Sequence, residues 1–326
     1  MKSKLIVITG PTASGKTQVA IELSKMVSKN KMASIVNFDS LLFYKELNIG
    51  TAKPDHQEQK EIPHHLIGIS SISNPLSAAH FVSMATSKIN QLMDDEQLVF
   101  LVGGSAFYLR SLFKGMYESK IQNKNASAEI ENLYAKDGIE SILNYLKKND
   151  PSSFESLHRN DHYRLVRAAI YFEQTGLRIS DKKKEMDQKN PYAFDEHQHD
   201  NWDVFFLHLD LPKPEHFKII QARTQKMIQD GLIEEVQALL ENGFTGSEKP
   251  MQSVGYKEVL CYLKGELETK ADLIERINIS TRQLAKSQRT FFKKFINKKT
   301  YHPLEDWKSI QEDIKKFIKM SLISKS

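Results

Sequence analysis

Leu5-Ile6-Val7-Ile8-Thr9-Gly10-Pro11-Thr12-Ala13-Ser14-Gly15-Lys16-Thr17 sets an apolar run before a glycine-bounded turn, and Gln18-Val19-Ala20-Ile21-Glu22-Leu23 follows with helical periodicity. Residues 10–17 therefore satisfy G-x-x-x-x-G-K-[ST] in the strand-loop-helix setting that gives the pattern its meaning. Such a turn is a phosphate cradle. Glycines let backbone N–H groups converge on an oxyanion, and the helix N-terminus adds partial positive charge. A lysine neutralises phosphate oxygens, and the threonine hydroxyl suits Mg²⁺. Gly10, Pro11, Thr12, Ala13, Ser14, Gly15, Lys16 and Thr17 are thus the candidate diphosphate- or nucleotide-binding residues, with Thr17 the metal ligand. The motif leaves open which phosphorylated compound is held, ATP included, and what is done to it.

Outward from this turn, strand-like runs at Leu5-Thr9, Ser34-Phe38 and Leu98-Val102 alternate with helical stretches near Thr17-Val27 and Ala78-Met93. That alternation predicts an α/β fold, a P-loop NTPase-like parallel sheet covered by helices. After Gly115 the chain turns polar and helix-periodic to about Asn201, and a further strand follows at Trp202-Leu209. The reading is a helical insertion, residues 116–201, within a core of residues 1–115 and 202–300. Core helices are expected near Glu215-Asn242, Lys257-Lys264 and Asp272-Phe295, and residues 301–326 form a helical tail, amphipathic around Trp307-Ile323. The Lys182-Lys183-Lys184 run and Asp187-Pro191 read as a solvated connection.

Composition bounds the function. The 326 residues carry 46 Lys and Arg against 41 Asp and Glu, a net charge of +5, so any nucleic-acid surface is local. The first apolar run is too short for a secretion signal, and no stretch approaches the ~18 apolar residues of a membrane span. The chain is expected in the cytoplasm, with no membrane contact. The single cysteine, Cys261, excludes internal disulfides and multi-cysteine zinc sites, and its apolar neighbours place it in the interior.

Asp39 follows its strand directly, on the sheet edge where the ligands of open α/β sheets gather. A carboxylate there serves as a Mg²⁺ ligand, a general base or the N-cap of the next helix. Gly103-Gly104-Ser105 occupies the matching place after the third strand. For Ser105 the residues alone favour a helix cap over a ligand contact. Arg282, Lys286, Arg289 and Lys293 recur at intervals of four, three and four, which puts four cations on one helix face beside Phe291 and Phe292. Tyr163, Arg164 and Arg167 make a smaller patch in the insertion. Cations for a backbone and rings for unstacked bases suit flexible RNA, although a solvated basic face explains the same residues.

These pieces, with Asp39-Ser40-Leu41-Leu42-Phe43-Tyr44, Ile49-Gly50-Thr51-Ala52-Lys53-Pro54, Pro63-His64-His65-Leu66, Leu101-Val102-Gly103-Gly104-Ser105, Arg164-Leu165-Val166-Arg167-Ala168, Thr175-Gly176, Val254-Gly255-Tyr256-Lys257-Glu258 and Thr281-Arg282-Gln283-Leu284-Ala285-Lys286, resemble the tRNA dimethylallyltransferases across nearly the whole chain. The resemblance implies transfer of a dimethylallyl group from dimethylallyl diphosphate to N6 of the adenosine 3′ to the anticodon, in tRNAs reading codons that begin with U. It implies Mg²⁺, a tRNA anticodon stem-loop as partner, and a chain acting as a monomer. Lys16 and Arg223, four residues before Met227, would hold the diphosphate, and Asp39 would be the base. Asp39, Ser40, Leu41, Leu42 and Ser105 would line a channel between core and insertion for an extruded adenine. Tyr163, Arg164, Leu165, Val166 and Arg167 would clasp the RNA. Gln252, Ser253, Val254, Gly255, Tyr256 and Lys257, with Lys286, Arg289 and Lys293, would hold the stem-loop.

The chain departs from that family's pattern at Ser105-Ala106-Phe107-Tyr108, where Thr-Gly-Leu-Tyr is commoner. A basic residue that the family often carries some way beyond the Ser105 hydroxyl has no evident equivalent in Ser119-Glu129, and Phe291 or Phe292 stands in place of a tryptophan. Without a C-terminal zinc finger the chain looks like the bacterial type. His64 and His65 read as packing and hydrogen-bonding residues, and His197 and His199 as a polar loop more than a metal site. A small-molecule P-loop kinase would use the same cradle but not the basic helix, and a non-enzymatic RNA binder would not need Lys16, Thr17 and Asp39 together. A transferase prenylating free adenine nucleotides would be shorter.

Overall fold

The computed structural model describes residues 2–28, 32–116, 123–187 and 190–319. Residues 119–122 of the Ser119-Glu129 segment, 188–189 of the solvated connection and the tail from 320 onward lie outside the described residues. The chain divides into two compact units, residues 1–115 with 192–326 and residues 116–191.

In the first unit, strand β1 (Ser3–Thr9) leads into α1 (Lys16–Ser28), β2 (Ala33–Asn37), α2 (His56–Glu61), β3 (His64–His65), α3 (Ala78–Asp94), β4 (Leu98–Val102) and α4 (Ala106–Lys114). The second unit supplies α5 (Ala126–Asn149), α6 (Pro151–Ser156), α7 (His162–Thr175) and α8 (Ile179–Asp187). The first unit resumes with β5 (Trp202–Leu209), α9 (Lys213–Gln229), α10 (Leu232–Glu241), a 3₁₀ turn Lys249–Gln252, α11 (Tyr256–Leu263), α12 (Lys270–Phe292), β6 (Lys299–Tyr301) and α13 (Trp307–Lys319).

The strands form one sheet in the order β3-β2-β4-β1-β5-β6, every pair parallel. A parallel sheet covered on both faces needs strands apolar on both sides, and β1 is such a strand. Its Leu5 and Val7 face Phe81, Phe113, Phe206 and Phe292, whereas Ile6 and Ile8 face α1 and α13 through Val19, Leu23, Ile310 and Ile314. Because all strands run one way, the phosphate turn, Asp39, Gly103-Gly104-Ser105 and Asp210 emerge at the same edge.

Two short strands, β3 and β6, escaped the sequence reading because two or three residues cannot show a period. The helical stretch 215–242 divides at Gly231, whose φ of 100° breaks the helix. The segment 192–201, read as the end of the insertion, instead packs within the first unit. Phe194 meets Phe113, Phe206 and Phe295, and His199 stacks on Trp202 at 3.7 Å. His199 Nε2 also bonds the Leu112 carbonyl at 2.8 Å, so this histidine pair is a packing element. Among the described residues no cluster of three His, Cys, Asp or Glu could hold a metal. Cys261 is half-buried, not interior.

The second unit closes on Ile130, Ile142, Leu143, Leu146, Leu165, Ala168, Ala169 and Ile170. Buried Asp150 knits it together, accepting bonds from Ser153 Oγ at 2.7 Å and Ser180 Oγ at 2.5 Å. Among the described residues no helix is long and apolar enough to cross a membrane.

Candidate active site

The phosphate turn is made possible by close approach. A Cβ on Gly10 would lie 2.6 Å from both the Leu209 carbonyl oxygen and Ser14 Oγ, so only glycine lets β1 pass into the turn beside β5. The turn then bends through Ala13 at φ 62°. The first-turn N–H groups of α1 have no intrahelical partner and face the turn. Lys16 donates to the Pro11 carbonyl at 2.8 Å beneath them. Burial pulls its pKa down to about 8, against the upward pull of Asp39, while Arg223 adds to the fall. The Thr12 N–H is not part of this donor set, because it donates to Gln288 Oε1 at 2.7 Å.

Asp39 is held by its neighbours. Its N–H donates to Asn37 Oδ1 at 2.8 Å, and Asn37 Nδ2 donates to the carbonyls of Asp39 and Leu66, each at 3.0 Å. Its carboxylate accepts from the Leu41 N–H at 3.3 Å, so it caps a turn and no helix. Ser105 does not cap α4, contrary to the reading from the residues alone. Its hydroxyl accepts from the Ser40 N–H at 3.0 Å and donates to Ser40 Oγ at 3.3 Å, which ties β4 to the Asp39 turn. Arg223, on α9, reaches the Thr51 carbonyl at 3.4 Å; burial draws its pKa down and Asp39 opposes this.

Two cavities meet at these residues. The larger, about 900 Å³, is lined by Thr12–Thr17, Asp39, Leu42, Asn48, Ile49, Thr51–Pro54, His64 and Arg223. The smaller, about 360 Å³, is lined by Asp39, Ser40, Leu41, Ser105, Arg223, Gln252–Gly255, Thr281, Leu284 and Gln288. Thr12, Asp39, Thr51, Arg223 and Met227 border both. One cavity thus ends in anion donors, the other is a slot beside it, and a carboxylate and a guanidinium stand at the junction.

Residues 42–295 match the family described as IPP transferase. The chain belongs to this family. It is 37% identical over 293 residues to tRNA dimethylallyltransferase 2 of Geotalea uraniireducens, covering 90% of each chain. It is 36% identical over 300 residues to the tRNA dimethylallyltransferase of Alkaliphilus oremlandii, covering 91% of this chain and 90% of that one. The fold superposes with a TM-score of 0.70 on the full-length tRNA isopentenylpyrophosphate transferase of Bacillus halodurans, at 26% identity and 100% coverage of both. With a eukaryotic dimethylallyltransferase acting on tRNA the TM-score is 0.76, at 28% identity, covering 99% of this chain and 80% of that one.

Several of the residues expected to contact RNA are interior. Leu165 is 0% exposed in the second unit's core, whereas Tyr163, Arg164, and Arg167 lie on its surface. Val166 packs half-buried against that core. Tyr256 is also fully buried, its hydroxyl donating to Glu235 Oε1 at 2.5 Å. Glu235 in turn accepts from the N–H groups of Asn48, Ile49 and Gly50, anchoring the segment that walls the larger cavity. Leu42 faces the larger cavity, not the smaller. Phe292 is fully buried, and Phe291 packs on Tyr192.

The basic stripe of α12 is also divided. Lys286 and Lys293 are exposed. Arg282 pairs with Glu275 at 2.7 Å, and Arg289 turns inward to Asp210 at 2.7 Å with its side chain only 17% exposed. The sequence reading did not single out Thr281, Leu284 and Gln288 as site residues. Their spacing of three and four, continuing from Ile277, marks a second face of the same helix, one that lacks the recurring cations by which Arg282, Lys286, Arg289 and Lys293 stand out.

Proposed function

We propose that the protein transfers the dimethylallyl group of dimethylallyl diphosphate to N6 of the adenosine 3′ to the anticodon, in tRNAs that read codons beginning with U. The observation that carries this reading is the pair of cavities joined at Asp39 and Arg223. A donor diphosphate and an extruded purine need two cavities that open onto each other, with a proton acceptor at their junction. A 360 Å³ slot suits a single base.

In this arrangement the α1 N–H groups, Lys16 and Arg223 grip the diphosphate. As the bond between the allylic carbon and oxygen breaks, negative charge accumulates on the leaving diphosphate, and these donors bind it more strongly than the ground state. The N6 lone pair forms the new bond to that carbon, and Asp39 accepts the N6 proton. Thr17 borders the larger cavity with a hydroxyl oxygen beside the anion donors. That oxygen fits Mg²⁺, a hard cation that keeps several waters and shares substrate phosphates instead of needing an all-protein cage. When bound, the ion neutralises diphosphate oxygens. Exposed Lys286, Lys293, Lys257, Gln252, Tyr163, Arg164 and Arg167 are the side chains offered to the stem-loop.

The test is incubation with dimethylallyl diphosphate, Mg²⁺ and unmodified tRNA, followed by digestion. N6-dimethylallyladenosine at the position after the anticodon is the expected product, lost in Asp39→Ala without loss of tRNA binding. Modification of free AMP alone, or phosphate transfer from ATP, overturns the reading.

A further inference from the structure

Arg289 lies on the helix face expected to meet RNA, yet its guanidinium turns to internal partners. Nε donates to Asp210 Oδ1 at 2.7 Å, and Nη2 reaches the Leu211 carbonyl at 3.1 Å and His216 Nδ1 at 2.8 Å. A guanidinium has donors only, so His216 Nδ1 must present its lone pair and the ring proton sits on Nε2. Nε2 points at the Thr12 carbonyl, 2.8 Å away. Thr12, whose N–H is already taken by Gln288, is therefore gripped on both its backbone polar groups by helices outside the phosphate turn. Gln288 in turn donates to the Gly104 carbonyl at 3.0 Å.

We infer that Arg289 and His216 are positioning residues for the diphosphate-binding turn: Arg289, anchored on Asp210, sets the His216 ring, and His216 holds Thr12 where Ala13–Thr17 can close on the anion. The inference rests on the function proposed above. The turn needs such a hold, because Ala13 beside Thr12 sits at φ 62°, a region that costs an alanine about 1 kcal/mol or more and persists only when its surroundings impose it. A turn fixed beforehand gives up less freedom when the diphosphate arrives. The required neutral ring agrees with its surroundings. Burial, Arg289 and Lys16 all hold His216 below the usual histidine range, opposed by the Thr12 carbonyl and Asp210.

The decisive experiment titrates the full-length protein with inorganic pyrophosphate and Mg²⁺ by calorimetry, beside tRNA binding and thermal melting. His216→Leu and Arg289→Met should each weaken pyrophosphate binding roughly tenfold, the cost of one buried hydrogen-bond partner lost. They should raise KM for dimethylallyl diphosphate more than they lower kcat and leave the tRNA Kd unchanged. His216→Gln, whose amide reaches the Thr12 carbonyl, should restore affinity to within about threefold, whereas His216→Asn, which cannot, should resemble His216→Leu. Should His216→Leu fail to fold, the Gln and Asn pair still decides the matter. Equal pyrophosphate affinity across Gln, Asn and wild type overturns the inference, and so does a salt-dependent loss of tRNA affinity in Arg289→Met. Wild-type protein that binds no pyrophosphate overturns the proposed function itself, and this inference with it.

Discussion

Gly103 follows β4 directly, against the turn that carries Asp39. A Cβ built there would lie 2.7 Å from the Phe38 carbonyl carbon, 2.8 Å from the Asp39 nitrogen and 2.8 Å from Phe38 Cγ. Two of these three neighbours are backbone atoms and cannot swing aside as a side-chain end would. Opening the shortest contact from 2.7 Å to the 3.4 Å of ordinary packing moves the two strand ends apart by about 0.7 Å. Misplacement of a reacting group by ~1 Å costs ~100-fold in rate, so Gly103→Ala should lower the single-turnover rate roughly 10- to 100-fold. Its stability should fall by about 1–3 kcal/mol, the usual cost of overpacking. The assay is prenyl transfer under single-turnover conditions, with pyrophosphate and tRNA affinities measured in parallel and expected within about threefold of wild type. If the loss acts through Asp39, Gly103→Ala combined with Asp39→Ala is no slower than Asp39→Ala alone. A folded Gly103→Ala protein with wild-type rate, or additive losses in the double variant, refutes the reasoning.

Other consequences follow from the same contacts. With its pKa near 8, Lys16 is mostly charged at pH 7 and mostly neutral at pH 9; pyrophosphate affinity should therefore fall by about tenfold across that window in wild type but stay level in Lys16→Arg, and a level wild-type profile contradicts the burial argument. Lys286→Ala with Lys293→Ala should weaken tRNA binding, reduce its salt slope by about 1.4–1.8 and leave turnover at saturating tRNA unchanged; an unaltered salt slope removes this face from the RNA interface. Phe113 is fully buried against Phe194, Trp202 and Phe206. Phe113→Ala should cost about 3–5 kcal/mol in urea denaturation, and a loss below about 1 kcal/mol would show that the core around β5 collapses to fill the gap.

The long strands and the phosphate turn were legible because their signals are local. Leu5–Ile8 is apolar on both faces, and the glycine spacing of residues 10–15 has one geometric use. Asp39 was legible by position, as the residue after a strand in a sheet whose ligands gather at that edge. What could not be read were pairings across the chain. Ser105 stands where caps stand, and nothing local reveals that Ser40, 65 residues earlier, claims its hydroxyl. Arg289 carries the charge of an RNA contact, but Asp210, 79 residues away, turns it inward. Tyr256 and Leu165 sit within recognisable motifs and look available, yet burial, a tertiary property, withdraws both from solvent. Segment 192–201 is polar enough to pass for insertion, and only Phe194 and Trp202 betray that it packs on the sheet unit.

The most direct test of the two-cavity mechanism is a single turnover with dimethylallyl diphosphate labelled in both the allyl and diphosphate groups, Mg²⁺ and tRNA, in the absence of ATP. Pyrophosphate and N6-dimethylallyladenosine should appear at equal rates and in equal amounts. Pyrophosphate released without prenylated tRNA, or a reaction that proceeds only with ATP and consumes its terminal phosphate, would contradict it.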